Sequence, residues 1–165
     1  MAVAIAAVYF AGSGGAGFVQ IDASGFHADV ELRGGWLKKT VSVSQGEPAK
    51  FPAATYRPRR VVLRVEEGPD KWWSLLVRRG PWGDLATVKV GKGQTTTLAL
   101  GPPLTVHADV KRNGRAVSVG LSLIGQAGEH YGPQVLSSDG PSPAPKLKIM
   151  DETANILTSG KFEYG

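Results

Sequence analysis

From Phe18 onward, apolar and polar residues alternate in runs of 5 to 9, and each run stops at Gly, Pro or Asp. The runs "FVQID", "FHADVEL", "KKTVSV", "RRVVLRVE", "KWWSLLVRR", "LATVKV" and "TTTLAL" are predicted strands. Successive side chains on a strand point to opposite faces, so the pattern also assigns faces. Val61, Leu63 and Val65 share one face, with Arg60, Arg64 and Glu66 on the other. Trp73, Leu75 and Val77 oppose Trp72, Leu76 and Arg78. Ala86, Val88 and Val90 point inward, as do Thr96, Leu98 and Leu100. No segment sustains a 3.6-residue period, so almost no helix is expected.

"GPP" at 101–103 is the strongest break, because two prolines do not fit a central strand. Beyond it, "LTVHADVKR" and "AVSVGLSLIG" flank Asn113-Gly114, the signal of a type I′ hairpin. Val117, Val119, Leu121 and Leu123 are the expected buried face of the second strand. Residues 126–145, rich in Gly, Ser and Pro, read as a long loop. "KLKIMD", the turn "ETAN", "ILTSG" and "KFEYG" follow. The fold class expected is all-β, two small β-sandwich domains in tandem. Residues 1–17 form an apolar segment and Gly-rich linker, 18–101 the first sandwich and 102–165 the second.

Composition narrows the chemistry. With no cysteine, disulfides, thiolate nucleophiles and Cys-ligated metals are excluded. The net charge of +5 favours acidic partners such as anionic glycans or lipid headgroups, or serves solubility alone. Met1 to Ala11 is an apolar run of 11 residues, short of the roughly 20 that span a bilayer. No basic residue precedes it, as a signal peptide requires. It is expected to be the remaining part of a membrane anchor, the alternative being a first buried strand.

Candidate catalytic groups do not assemble. The repeat HADV places His27 with Asp29 and His107 with Asp109 on strand faces 80 residues apart. Two such pairs have metal-ligand chemistry, but Ala28, Val30, Ala108 and Val110 are the apolar positions, so the His/Asp faces look to solvent. Glu129, His130 and Tyr131 cluster in the predicted loop and read as a polar loop tip, with no nucleophile placed beside them. Ser122 is not in a G-x-S-x-G elbow. "GSGGAG" precedes a strand and not a helix, so it offers no phosphate cradle. No catalytic residue, metal site or cofactor is expected.

Basic and aromatic residues do mix. Arg57, Arg60 and Arg78 with Trp72 and Trp82 are the candidate ligand-binding residues. Arginines beside stacking rings suit glycans or, as the lesser alternative, single-stranded nucleic acid. The plainer account is that the tryptophans, Trp36 among them, fill a sandwich core.

One stretch resembles a known family. "FPAATY" opens a strand, and "VKVGKGQTTTLAL" closes the unit. Phe51, Pro52, Ala53, Thr55, Tyr56, Val90, Gly93, Gln94, Thr95, Thr96 and Leu98 match the carboxypeptidase-regulatory-like and PEGA-type modules of bacterial envelope proteins. Ala54 stands where that family usually has Gly. The resemblance covers about 50 residues. It implies a transthyretin-like sandwich with a structural or adhesive role and no catalytic residue. "PKLKIMDETANILTSGKFEYG" resembles a hairpin of Ig-like domains. The second part offers about five strands where an Ig-like sandwich has about seven, so the chain is expected to continue past Gly165. The expected function is a non-enzymatic, envelope-associated structural or binding module. A glycan or nucleic-acid binder is the alternative, and an accessory domain of a redox protein is the third reading.

Overall fold

The computed structural model describes residues 15–34, 37–132 and 135–162. The apolar run at the N-terminus, Trp36 and the last residues of "KFEYG" lie outside the described residues. The chain is all-β, as expected.

Two sheets hold the core. The first contains β1 (Ala16–Asp22), antiparallel to β4 (Ala49–Pro52) on one side and parallel to β8 (Thr95–Ala99) on the other. The second contains β2 (His27–Gly34), β3 (Leu37–Ser44), β5 (Ala54–Glu66) and β6 (Trp72–Val77), with β7 (Val88–Val90) beside the start of β5. Val19, Ile21, Phe51 and Leu98 of the first sheet join Val30, Leu32, Val61, Leu63, Leu75 and Val77 of the second in one buried cluster. Period-2 alternation thus resolves into an inner and an outer face, with Leu75 and Val77 buried and Arg60 and Arg64 exposed as expected.

β5 is the spine. Its 13 residues pair with β2 along one edge, while the other edge is shared by β7 at 54–56 and β6 at 61–66. Pro58, which has no N–H for a ladder, sits in the gap between those two partners. Across the other edge the register shifts between Glu31 and Leu32, leaving Arg59 as the extra residue of a bulge.

Three expectations are corrected. "LATVKV" is not one strand: residues Gly83–Ala86 form a 3-10 turn, Ala86 is exposed and Leu85 turns inward instead. The left-handed φ of 54° at Gly83 re-aims the chain before β7. Second, β9 (Thr105–Asn113) and β10 (Ala116–Ile124) do form a hairpin, but Asn113 pairs with Ala116, so the loop is Gly114-Arg115. Only Gly114 has positive φ (60°), the pattern of a type II′ turn and not of type I′. Third, the apolar face of this hairpin is not buried. Val106, Val110 and Val117 are 65%, 62% and 50% exposed, and only Leu123 at its base packs on the core.

The stretch 126–145 is more structured than a loop. It contains β11 (His130–Tyr131), β12 (Leu136–Ser137) and β13 (Gly140–Pro141). β11 pairs with β10, and β12 extends the second sheet by pairing with β6. Residues on both sides of Gly101 therefore share one sheet. The last described elements are the hairpin β14 (Lys146–Met150) and β15 (Ile156–Lys161). Its turn is organised by Asp151, whose carboxylate accepts bonds from the Thr153 and Asn155 amides at 2.9 Å each and from both their side chains. The Asn155 and Thr153 bonds hold that carboxyl down at about 2, and Ala154 takes the left-handed φ of 65°.

Candidate ligand-binding face

The outer face of the second sheet gathers the basic residues. Tyr56, Pro58, Val61 and Leu63 of β5 are buried, so Arg57, Arg60, Val62 and Arg64 look outward. The ladder then sets their neighbours. Arg57 lies directly opposite Arg33, Arg60 opposite Glu31, and Arg64 between His27 and Ser74. Arg78 follows Val77, which pairs with Val61, and is exposed at a bend just past the end of β6. Trp72 lies opposite Glu66. From Arg57 to Arg64 the track is about 20 Å long at the usual strand rise.

Its electrostatics are uneven. Arg60 Nη1 is 3.2 Å from Glu31 Oε1 and Arg64 Nε is 3.4 Å from Glu66 Oε1, both at the surface where such pairs contribute little. The Arg64 guanidinium also sits 4.8 Å from the centre of the Trp72 ring, a cation–π contact that holds the indole in place. Arg33 and Arg57 face each other and make no ion pair among the described residues. Like charges directly across a ladder repel by a few tenths of a kcal/mol to about 1 kcal/mol. An anion bridging the two guanidinium groups would remove that cost.

Three of the five sequence-derived candidates, Arg57, Arg60 and Trp72, therefore share one face, and Arg78 is exposed at a bend just past the end of β6. Trp82 does not lie on that face. It precedes the 3-10 turn, packs against the core and bridges to Glu129. Arg33 and Arg64 complete the face. Arg33 was missed because its neighbour across the ladder lies 24 residues away in sequence, and only the register of β2 on β5 joins them. The two His-Asp pairs lie in different sheets. The Asp29 carboxylate accepts from the Ser44 hydroxyl, and Asp109 pairs with Lys111 at 2.9 Å.

Behind the core lies a second polar cluster that the sequence hid. Glu129, expected at a loop tip, is fully buried. The turn from Gly125 to Glu129 folds its side chain back on itself. Glu129 Oε1 accepts from the Gly101 amide at 2.6 Å and from the Tyr131 hydroxyl at 2.8 Å, and Oε2 accepts from the Ala127 amide at 3.0 Å. Gly125 is required here, since a Cβ at that position would come within 2.1 Å of Oε1. The Gln126 side chain donates to Leu100 O at 2.8 Å. The carboxylate thus staples the 125–131 segment to the chain at Gly101, a structural duty that satisfies each buried donor.

Tyr131 reports on this staple. Burial pushes its phenol far above the ordinary value of 10, the Glu129 carboxylate raises it further by its charge and by accepting the hydroxyl's hydrogen bond, and the Gly101 amide opposes weakly. The folded state therefore favours the neutral phenol. Its contribution to stability is complete below the unfolded value of 10 and is lost as pH rises above it. In an alkaline absorbance titration, Tyr131 is expected to ionise only as the protein unfolds. The Tyr131→Phe protein should lose that late step and no earlier one. An early phenolate step missing from the variant would contradict the geometry.

Among the described residues no helix is long and apolar enough to cross a membrane. No protein-family model, no curated protein and no solved structure matches the chain.

Proposed function

We propose that this chain is a non-enzymatic binding module of the bacterial cell envelope. Its frame is a transthyretin-like β-sandwich followed by an Ig-like β-domain, and its arginine-rich face takes an anionic glycan. The observation that supports the ligand class is the alignment of Arg33, Arg57, Arg60 and Arg64 along one outer sheet face, with Trp72 at its end. Guanidinium forks bind carboxylate, sulfate and phosphate groups in two-point fashion. The half-buried Trp72 indole offers an apolar edge and plane beside Arg64 to a sugar ring. An open sheet face suits an extended polymer better than an enclosed small molecule. The envelope setting rests on the resemblance of "FPAATY" and "GQTTTLAL" to envelope modules, with the apolar N-terminal run as part of a membrane anchor.

Nucleic acid would use the same cations, but single-strand binders stack successive bases on several rings. Trp72 is the one Trp, Tyr or Phe ring that the ladder sets beside these arginines among the described residues. The protein is expected to be retained on immobilised heparin at low salt. Replacing Arg33 and Arg57 with Glu should weaken binding roughly tenfold or more and reduce the slope of log affinity against log salt by about two. Trp72→Ala should weaken binding with the slope unchanged. Passage of the unaltered protein through the column at low salt would sink the proposal. Tighter binding to single-stranded DNA of equal charge would move the reading to nucleic acid.

A further inference from the structure

We propose that β9 is an interface between two copies of this chain, paired edge to edge and antiparallel about a two-fold axis through Val110. Within its sheet the order is β11-β10-β9, so among the described residues no strand covers the outer edge of β9. Its backbone polarity follows from the turn. A two-residue loop closes on a hydrogen-bonded pair, here Asn113 and Ala116. Alternation then directs the backbone groups of Lys111, Asp109 and His107 toward β10. Those of Val106, Ala108, Val110 and Arg112 point to the open edge. An exposed edge of this kind is a template for another strand.

Charge selects the register. Pairing must join even positions to even positions, because a slip by one residue would set the apolar face beside the polar one. With Val110 opposite its own copy, Ala108 pairs with Arg112, and Asp109 lies opposite Lys111 on both sides of the axis. These last pairs fall at the non-hydrogen-bonded sites, where side chains approach most closely. Lys111 Nζ already lies 2.9 Å from Asp109 Oδ2 along its own strand, so two copies would form a four-charge cluster of alternating sign. Centring on Asp109, Lys111 or Arg112 instead opposes like charges. Centring on Ala108 drives the turn of the second copy against Pro102 and Pro103 at the base of the hairpin. The interface is self-complementary and closes as a dimer. It brings the exposed Val106, Val110 and Val117 of both copies onto one sheet face, with each Arg112 between Val117 and the Ala108 of the other copy.

Sedimentation equilibrium of the full chain over a wide concentration range tests this. A monomer–dimer equilibrium is expected. D109K and K111D should each weaken dimerisation roughly tenfold by opposing like charges, and the double exchange D109K/K111D should restore it. V110P removes an N–H that faces the open edge and none that β10 uses, so it should abolish the dimer and leave the hairpin folded by circular dichroism. A monomer at every concentration, a dimer unaffected by V110P, or a double exchange no better than the single variants would each overturn the proposal.

Discussion

Glu129→Ala is expected to lower the stability of the folded protein by about 3–5 kcal/mol, read as a fall in the midpoint of urea unfolding. Three donors meet this carboxylate: the amides of Gly101 and Ala127 and the Tyr131 hydroxyl. The site is closed to solvent. Truncation leaves all three buried without an acceptor, and each such group costs about 1–3 kcal/mol. Glu129→Gln separates shape from chemistry. It keeps the volume but offers an amide NH2 where an oxygen must accept, so an intermediate loss of about 2 kcal/mol is expected. If Glu129→Ala unfolds at the same midpoint as the unaltered protein, the carboxylate does not staple the segment.

Gly83→Ala is the second large effect, with an expected loss of about 3 kcal/mol. A methyl group at this position would lie 1.8 Å from Ala127 O and 2.6 Å from Gly128 C, both backbone atoms that cannot rotate away. The same carbonyl accepts the Asp84 amide at 2.7 Å, so any retreat of the 127–128 turn breaks that bond. The left-handed φ of 54° adds a smaller cost for any residue with a Cβ. Both substitutions strike one junction from opposite sides, since Trp82 bridges to Glu129 and the His130 amide donates to Pro81 O at 3.0 Å. Their effects should therefore combine to less than their sum in the double variant. Simple additivity would show that the two sites are independent.

Much of the inner sheet could be read along the chain. Val61, Leu63, Leu75 and Val77 are buried where alternation put them, and Leu98 and Leu100 likewise. The rule worked because these strands have the core on one side and water on the other, so side-chain period and burial coincide. It failed at Val117, where the same alternation occurs without a covering layer. Alternation shows that a strand has two different faces and does not show what lies over them. The same limit hid Glu129. Glutamate is almost never fully buried, and polar context in a Gly-rich stretch points to the surface. Its burial depends on amides of Gly101 and Ala127 and on a hydroxyl, and no local signal announces such donors.

By itself, the order of residues determined the all-β class, most of the strands that line the core, the turn at Gly114 and the abundance of arginine around β5. Each of these follows from local chemistry: alternation, glycine's access to positive φ, and composition. Tertiary structure alone decided that Arg33 faces Arg57, that Arg64 stacks on Trp72 while Trp82 turns to the core, and that residues after Gly101 return to extend the sheet through β12. Those outcomes rest on register and on contacts between distant segments. A shift of one residue in a ladder exchanges the two faces, and nothing within either strand records which partner it will meet.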